Sequence, residues 1–548
     1  MSADIDPTEA IPQVTAEMIA KAAAQQAPAE REVTAAPERK PAAKPQPQPQ
    51  PQPRPEPKPR PRPEPVAEQP AAPDAVLSQR PGSSPFAASE PYADRHTSAG
   101  HIAAGHLSSL VQIPTVSTWD PQFLDHESFA RHRAALATFY PRVHALQSEP
   151  AGEHGLLYRW PGRGRQDVLH PYPVVLMAHQ DVAPVRVMDW PGGNPFSGEI
   201  HEGVVHGRGT LDDKGALVAV LDAVETLLGE GFVPERDIWL FFGADEETVG
   251  ESAQIAVRRL YELGVRPWLV LDEGGFVGTD VFPGVDRQTA LVGVAERGLI
   301  GINLYTTDVG GHAATPGRWT ATTRLSRAVT RAGRHRFAAR VSPPTAEMLA
   351  AVAPRATGFK GTMLRLVTKV AAGPFRKLAA WLLAGAGPEA TAIVRTTVAV
   401  TELEGSPGAN VAAATARARL DVRVAPGDTV ERTVARLRRV IADKRVEIEV
   451  VESDEPSEVS PTDSQQFALL SESIGAAYPD ALVVPHVAPG ASDARRFTPI
   501  SDHVYRFRPF VMSREQRQSS HGAGERLSVD SLSRGVHFYR EVLRKIPG

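Results

Sequence analysis

The sequence predicts an α/β protein: a catalytic domain with a mostly parallel sheet, interrupted by a smaller α+β unit of ferredoxin-like pattern and preceded by a disordered proline-rich arm. Three observations carry this reading. Short apolar runs at residues 174–177, 238–242 and 268–271 are bounded by turn residues, as in strands buried on both faces of a parallel sheet. Helical periodicity over residues 216–228 and 253–263 alternates with them, the pattern of crossover helices. After Glu296 the pattern changes to amphipathic alternation and runs strand, helix, strand, strand, helix, strand to about residue 451, which is the order of a small α+β unit.

Taken in order, residues 1–95 form the arm. Pro, Ala, Gln, Glu and Arg dominate it from about residue 27, with alternating Pro and Gln over residues 45–53. Such a segment lacks the apolar content to offset ordering entropy and stays extended. Residues 96–296 form the first part of the catalytic domain, with helices expected at 100–110 and 131–140 and a strand at 156–160. Residues 297–455 form the inserted unit. Its strands are expected at 299–305, 396–402, 414–424 and 445–451 and its helices at 320–334 and 429–443, with an added helical stretch over 345–390. Residues 456–548 return to the catalytic domain.

The bulk properties exclude several classes. A chain of 548 residues needs two or three folding units. A net charge of -4 without a basic stripe argues against a nucleic-acid partner. No apolar run reaches the roughly 20 residues of a membrane helix, so no membrane partner is expected. The acidic start at Met1–Asp6 does not resemble a secretory signal, and a cytoplasmic location is expected. With no cysteine in the chain, His, Asp and Glu are the strong metal ligands left.

Those ligands cluster at the ends of the apolar runs. The first run ends in His179-Gln180-Asp181, the second in Asp245-Glu246-Glu247, the third in Asp272-Glu273-Gly274-Gly275. Between the first two lies Gly207-Arg208-Gly209-Thr210-Leu211-Asp212-Asp213-Lys214-Gly215. Sites in open α/β sheets gather at the carboxyl ends of strands. An imidazole such as His179 can ligate through one nitrogen while a carboxylate such as Asp181 holds the other. One carboxylate of the Asp212-Asp213 pair can bridge two metals while the other caps the helix that follows. Adjacent Glu246 and Glu247 diverge, which suits one to ligation and one to proton transfer. His312, in a glycine turn of the inserted unit, and His521 near the C-terminus are further candidates. His170, His201, His206 and His503 read as surface or packing residues.

Together with Gly311-His312-Ala313-Ala314-Thr315-Pro316, Gly490-Ala491-Ser492-Asp493-Ala494-Arg495 and His521, these stretches resemble the co-catalytic zinc hydrolases that include aminoacylase, succinyl-diaminopimelate desuccinylase and carboxypeptidase S. Val504-Tyr505-Arg506-Phe507 and the Asp272-Glu273-Gly274-Gly275 form lean toward the carboxypeptidase S branch. The resemblance covers roughly residue 100 to the end. It implies a zinc-exopeptidase-like fold and a hydrolase that cleaves the amide bond of a peptide or N-acyl amino acid bearing a free carboxylate. It implies two Zn2+ per chain, His179 and Glu273 holding one and Glu247 and His521 the other, with Asp212 bridging. Asp272 is the alternative to Glu273. Co2+ or Mn2+ would also suit these donors. Asp181 would orient His179, Glu246 would be the general base, and the unit at 297–455 would be a lid and dimerisation domain, with His312 reaching the site of a partner subunit in a homodimer formed through it. Arg495 and Asn410 would hold the substrate. Ala183 stands where valine is usual, and Ala491-Ser492 where Gly-Thr is usual. The alternative is a non-catalytic scaffold that keeps the hydrolase fold and uses its arm to bind partners.

Overall fold

The computed structural model describes residues 93–165, 168–248 and 250–548. Residues 1–92 of the arm expected over 1–95 lie outside the described residues, and its last three residues begin the first helix. After the helix Ala93–Val111 and the helix His126–Phe139, the chain enters a nine-stranded sheet. Its first strands are the hairpin β1 (Gln147–Ala151) and β2 (Gly155–Trp160), then β3 (Val174–His179). A short pair, β4 (Ile200–His201) and β5 (Val204–His206), stands apart. The large sheet continues with β6 (Ile238–Gly243), β7 (Leu269–Asp272), β8 (Phe276–Gly278) and β9 (Thr289–Glu296). The second helix begins five residues before the expected Arg131 because Asp125 accepts from the Ser128 amide and caps it there.

The middle of this sheet explains its sequence. Strands β6 and β7 flank β3 and run parallel to it. Every residue of β3, β6 and β7 is buried. Successive side chains of a strand point to opposite faces, so Val174 and Leu176 pack with the helix Lys214–Gly229 while Val175 and Met177 pack with the helix Glu251–Glu262. Both faces are therefore core, and the strands read as unbroken apolar runs. Parallel direction brings His179, Asp272 and the loop after Gly243 to one edge, since His179 stands opposite Gly243.

The chain then forms β10 (Gly298–Thr307), the short β11 (Gly311–His312), β12 (Thr397–Glu404), the short β13 (Val411–Ala412), β14 (Thr415–Val424) and β15 (Val446–Asp454). Four of these make an antiparallel sheet in the order β12-β14-β10-β15. Strict alternation of burial along β14 puts one face on the helices Ala321–Arg334 and Val430–Ile441. The four helices between Pro343 and Val394 interrupt this unit in sequence but share a core with Leu291 of β9. The return segment supplies β16 (Leu482–Ala488), β17 (Val504–Arg506) and β18 (Arg526–Ser528). It closes the large sheet in the order β1-β2-β6-β3-β7-β17-β9-β16, with β8 beside β9. Among the described residues no helix is long and apolar enough to cross a membrane.

Gly215 shows how tightly the ligand-bearing loop is seated. A Cβ there would lie 2.3 Å from the Thr210 carbonyl oxygen and 2.9 Å from the Leu527 side chain. Gly215→Ala should lower stability by roughly 1–3 kcal/mol, read as a lower urea midpoint with unchanged slope. An unchanged midpoint would show that the loop relaxes freely.

Candidate metal centre

Four segments converge at the carboxyl edge of the large sheet. His179 ends β3, the turn after β6 carries Glu246 and Glu247, Glu273 follows β7, and the loop before the helix Lys214–Gly229 carries Asp212 and Asp213. His521 arrives from the C-terminal segment with a φ of +54°, a left-handed conformation that a non-glycine residue adopts at a cost. The peptide between Asp212 and Asp213 is cis.

Asp212 joins two groups of ligand atoms. One is His179, Asp212 and Glu273, and the other is Asp212, Glu247 and His521. Its Oδ1 lies 3.3 Å from His179 Nε2, and its Oδ2 lies 3.1 Å from His521 Nε2. His521 Nε2 is also 3.2 Å from Glu247 Oε2. Donors bound tetrahedrally at about 2.0–2.1 Å would be separated by about 3.3 Å, so these spacings fit a cation in each group. Glu247 Oε1 is buried without a hydrogen-bond partner among the described residues, which leaves this carboxylate with an unused acceptor. The donor set of imidazole and carboxylate suits zinc, cobalt or manganese.

Asp181 is fully buried and holds the first group in place. Its carboxylate lies 3.3 Å from His179 Nδ1 and accepts from Ser117 Oγ and from the amides of Glu246 (3.3 Å) and Glu247 (3.1 Å). One side chain thus sets the orientation of a ligand and the position of both glutamates. Asp272, the alternative ligand, turns away and accepts from the Ala494 amide at 2.9 Å. Asp213 is buried as the residue preceding the helix, with no side-chain cap bond.

Charge sets the titration of this cluster. Burial opposes ionisation of Asp212, yet Arg508 and the bonds from His179 and His521 hold its carboxyl well below the usual range. Burial also works against a charged His179, but Asp181 and Asp212 raise it well above the ordinary imidazole value. Hydrogen bonds donated to Asp212 and Glu247 push His521 up to about 10 although its side chain is 62% exposed. Burial raises the Glu246 carboxyl well above its usual range against the pull of His179, and Asp493 and Glu247 add to the rise.

The other expected residues fall in two places. Glu246, Glu247, Arg495 and His521 line a cleft of about 710 Å³ together with Leu299, Arg419, Arg423 and Val451 of the small sheet. Arg495 lies 3.4 Å from Asp454, which also pairs with Arg496 at 2.8 Å. His312 and Asn410 stand together on the two-stranded ribbon of β11 and β13, where the Ala313 amide donates to the Asn410 carbonyl at 3.0 Å. Both are exposed, and neither lines this cleft.

Three residues of the site escaped the sequence reading. Arg508 lies just past β17 and reaches Asp212 at 2.9 Å, Asp213 at 3.3 Å and Glu273. Ser520 donates to Asp212 Oδ2 at 2.8 Å. Glu525, fully buried, accepts from the amides of Gly209, Leu211 and Asp212 at 2.7–3.0 Å and from Arg208 at 2.5 Å. The spacing His521-Gly522-Ala523-Gly524-Glu525 was a usable signal for it, since an acid four residues beyond a ligand can return to the same loop.

Loading this centre must expel protons. His521, whose pKa is pushed to about 10, holds its proton below that pH and, as the ligand the geometry would allow, would have to release it for Nε2 to bind a cation. Affinity therefore rises with pH and falls as pH drops. Calorimetric titration of metal-stripped protein with Zn2+ in buffers of different ionisation enthalpy should show net proton release near neutral pH. Absence of release would remove His521 from the ligand set.

The chain matches Peptidase family M20/M25/M40 over residues 175–545. It is 32% identical over 440 residues to a probable carboxypeptidase S-like 2 of Dictyostelium discoideum, covering 78% of this chain and 80% of that one. It is 30% identical over 453 residues to the human N-fatty-acyl-amino acid synthase/hydrolase PM20D1, covering 80% and 86%. In fold it is similar to the M20 family metallo-carboxypeptidase Sso-CP2 of Sulfolobus solfataricus, with a TM-score of 0.61 at 16% identity over 81% of this chain and 98% of the other. Human carnosine dipeptidase 1 gives 0.58 at 16% over 82% and 98%. With its ligand clusters joined at the strand tips, this chain belongs to the M20/M25/M40 peptidase family and is a metallohydrolase.

Proposed function

We propose that the protein hydrolyses the amide bond of an N-acyl amino acid or small peptide with a free carboxylate, using two divalent cations that Asp212 bridges. The observation that carries this is Asp212 itself, with one oxygen in each ligand group and Glu246 beside the same cleft. His179 and Glu273 would hold one ion, Glu247 and His521 the other. Zinc is the ion we favour, with cobalt or manganese as alternatives. When bound, such cations acidify water and polarise an amide carbonyl.

The chain's own residues would do the rest. Glu246, its carboxyl raised by burial, accepts a proton from the attacking water and returns it to the leaving nitrogen. Arg495 meets the substrate carboxylate with a planar fork, its charge only partly met by the Asp454 that it shares with Arg496. A cleft of about 710 Å³ with Leu299 and Val451 on its wall has room for an acyl chain as well as an amino acid. Relatives named as carboxypeptidase S-like and as an N-fatty-acyl-amino acid synthase/hydrolase support this pair of substrate classes.

His312 and Asn410 stand exposed on their ribbon, away from their own chain's cleft. We assign them to the site of a second copy in a homodimer formed through the small sheet, with His312 donating to the developing oxyanion.

Metal-loaded protein assayed on dipeptides and N-acyl amino acids should release the amino acid. Glu246→Gln should lower kcat about 10²–10⁴-fold with metal content unchanged, and Arg495→Met should act mainly on KM. Full activity in Glu246→Gln would remove it as the base. Mixing inactive Glu246→Gln with inactive His312→Ala should restore part of the activity, because one site in the mixed dimer keeps both groups. No recovery in a dimer shown to exchange subunits would show that His312 serves its own chain's site and not that of a second copy.

A further inference from the structure

The helices Gly358–Ala371 and Arg376–Ala384 carry an outward face that the hydrolase chemistry leaves unused. Their inner residues Leu364, Val367, Val370, Ala371 and Ala379 pack into the core shared with Leu482 and Val484 of β16. Their outer faces are also apolar. Phe359, Met363 and Leu366 recur at helical spacing on the first helix, and Leu378, Trp381 and Leu382 on the second, with Phe375 just before it. Phe359 is 81% exposed, Phe375 69% and Trp381 67%. Single exposed apolar residues are ordinary, but a run of aromatic and aliphatic side chains on adjoining helices marks an interaction surface.

The charge around this face says what it meets. Lys360, Arg365, Lys369, Arg376 and Lys377 lie on the same two helices, and no acidic residue occurs between residues 356 and 388. The next acid, Glu389, lies 3.6 Å from Arg514, outside this face. Arg365 donates only to the Ala356 carbonyl and Thr362. A second copy of the same face would bring these cations against their own kind. An anionic phospholipid surface meets both features at once, because the aromatic and aliphatic side chains enter the headgroup boundary while lysine and arginine pair with lipid phosphate.

We propose that the helices Gly358–Ala371 and Arg376–Ala384 dock the protein onto anionic phospholipid membranes as a peripheral, non-spanning contact. This departs from the expectation of no membrane partner, which rested on the lack of a spanning segment. The surface is independent of the substrate assignment. It would nonetheless place an amidohydrolase where N-acyl amphiphiles gather.

The test is co-sedimentation of the full-length, metal-loaded protein with vesicles of phosphatidylcholine alone and with roughly a third phosphatidylglycerol, at low and high salt. Binding should favour the anionic vesicles about tenfold or more and weaken with salt. The variant Phe359→Ser/Phe375→Ser/Trp381→Ser and the variant Lys360→Glu/Lys369→Glu/Lys377→Glu should each lose that preference about tenfold. Circular dichroism and thermal midpoint should stay at the wild-type values, which separates lost docking from lost folding. As a conservative check, Phe359→Leu/Phe375→Leu should retain most binding. Absence of anionic preference in the wild type, or equal binding by folded variants, would overturn the proposal. So would a concentration-dependent dimer that the serine variant abolishes, because the face would then belong to a second copy.

Discussion

Everything at the catalytic edge follows from concentrating buried carboxylates there. Asp181, Asp212, Asp213, Asp272, Glu273 and Asp493 are all buried close to the strand ends, with Glu246 and Glu247 opening to the cleft. Like charges removed from water cannot all stay ionised without cations among them. The protein supplies His179, His521 and Arg508 as partial compensation. Burial still pushes Asp213 and Asp493 up to about 8. A site in that condition is built for additional positive charge, which divalent cations bring most compactly.

Two carboxylates outside both groups of ligand atoms give the centre its shape. Asp181 ties β3 to the turn after β6, which fixes His179, Glu246 and Glu247 relative to one another. Glu525 ties the Gly209–Asp212 loop to the segment that carries His521, across more than 300 residues of sequence. The place of Asp212 in both groups of ligand atoms therefore depends on both ties. The cis peptide and the positive φ of His521 lie in the segments those ties hold.

The parallel core was legible because strands buried on both faces must be unbroken apolar runs, and their tips must carry the ligands. Of the candidate residues, His179, Glu247 and Glu273 follow such strands, whereas Asp212 and His521 lie in loops, and the resemblance supplied the expected set and the choice of Glu273 over Asp272. Arg508 was not, since Arg506 and Arg508 alternate in one short stretch and look alike. Only the end of β17 separates them: Arg506 pairs with Glu296 within the sheet, while Arg508 lies beyond it and turns to the acids. The packing of residues 343–394 on the edge of the large sheet was likewise hidden, because their helical periodicity shows an apolar face but not its partner. His312 was visible in a glycine turn and Asn410 came from the resemblance alone, and their place on an exposed ribbon is a tertiary fact.

The most direct test of the account is anomalous diffraction at the zinc edge from crystals of the zinc-loaded protein. Two peaks should flank Asp212 about 3.5–4 Å apart, each about 2.0–2.2 Å from one of its carboxylate oxygens. His179 and Glu273 should complete one ion's shell, and Glu247 and His521 the other's. A single peak, or peaks that leave Asp212 uncoordinated, would contradict the claim that this cluster is organised around a bridged pair of cations.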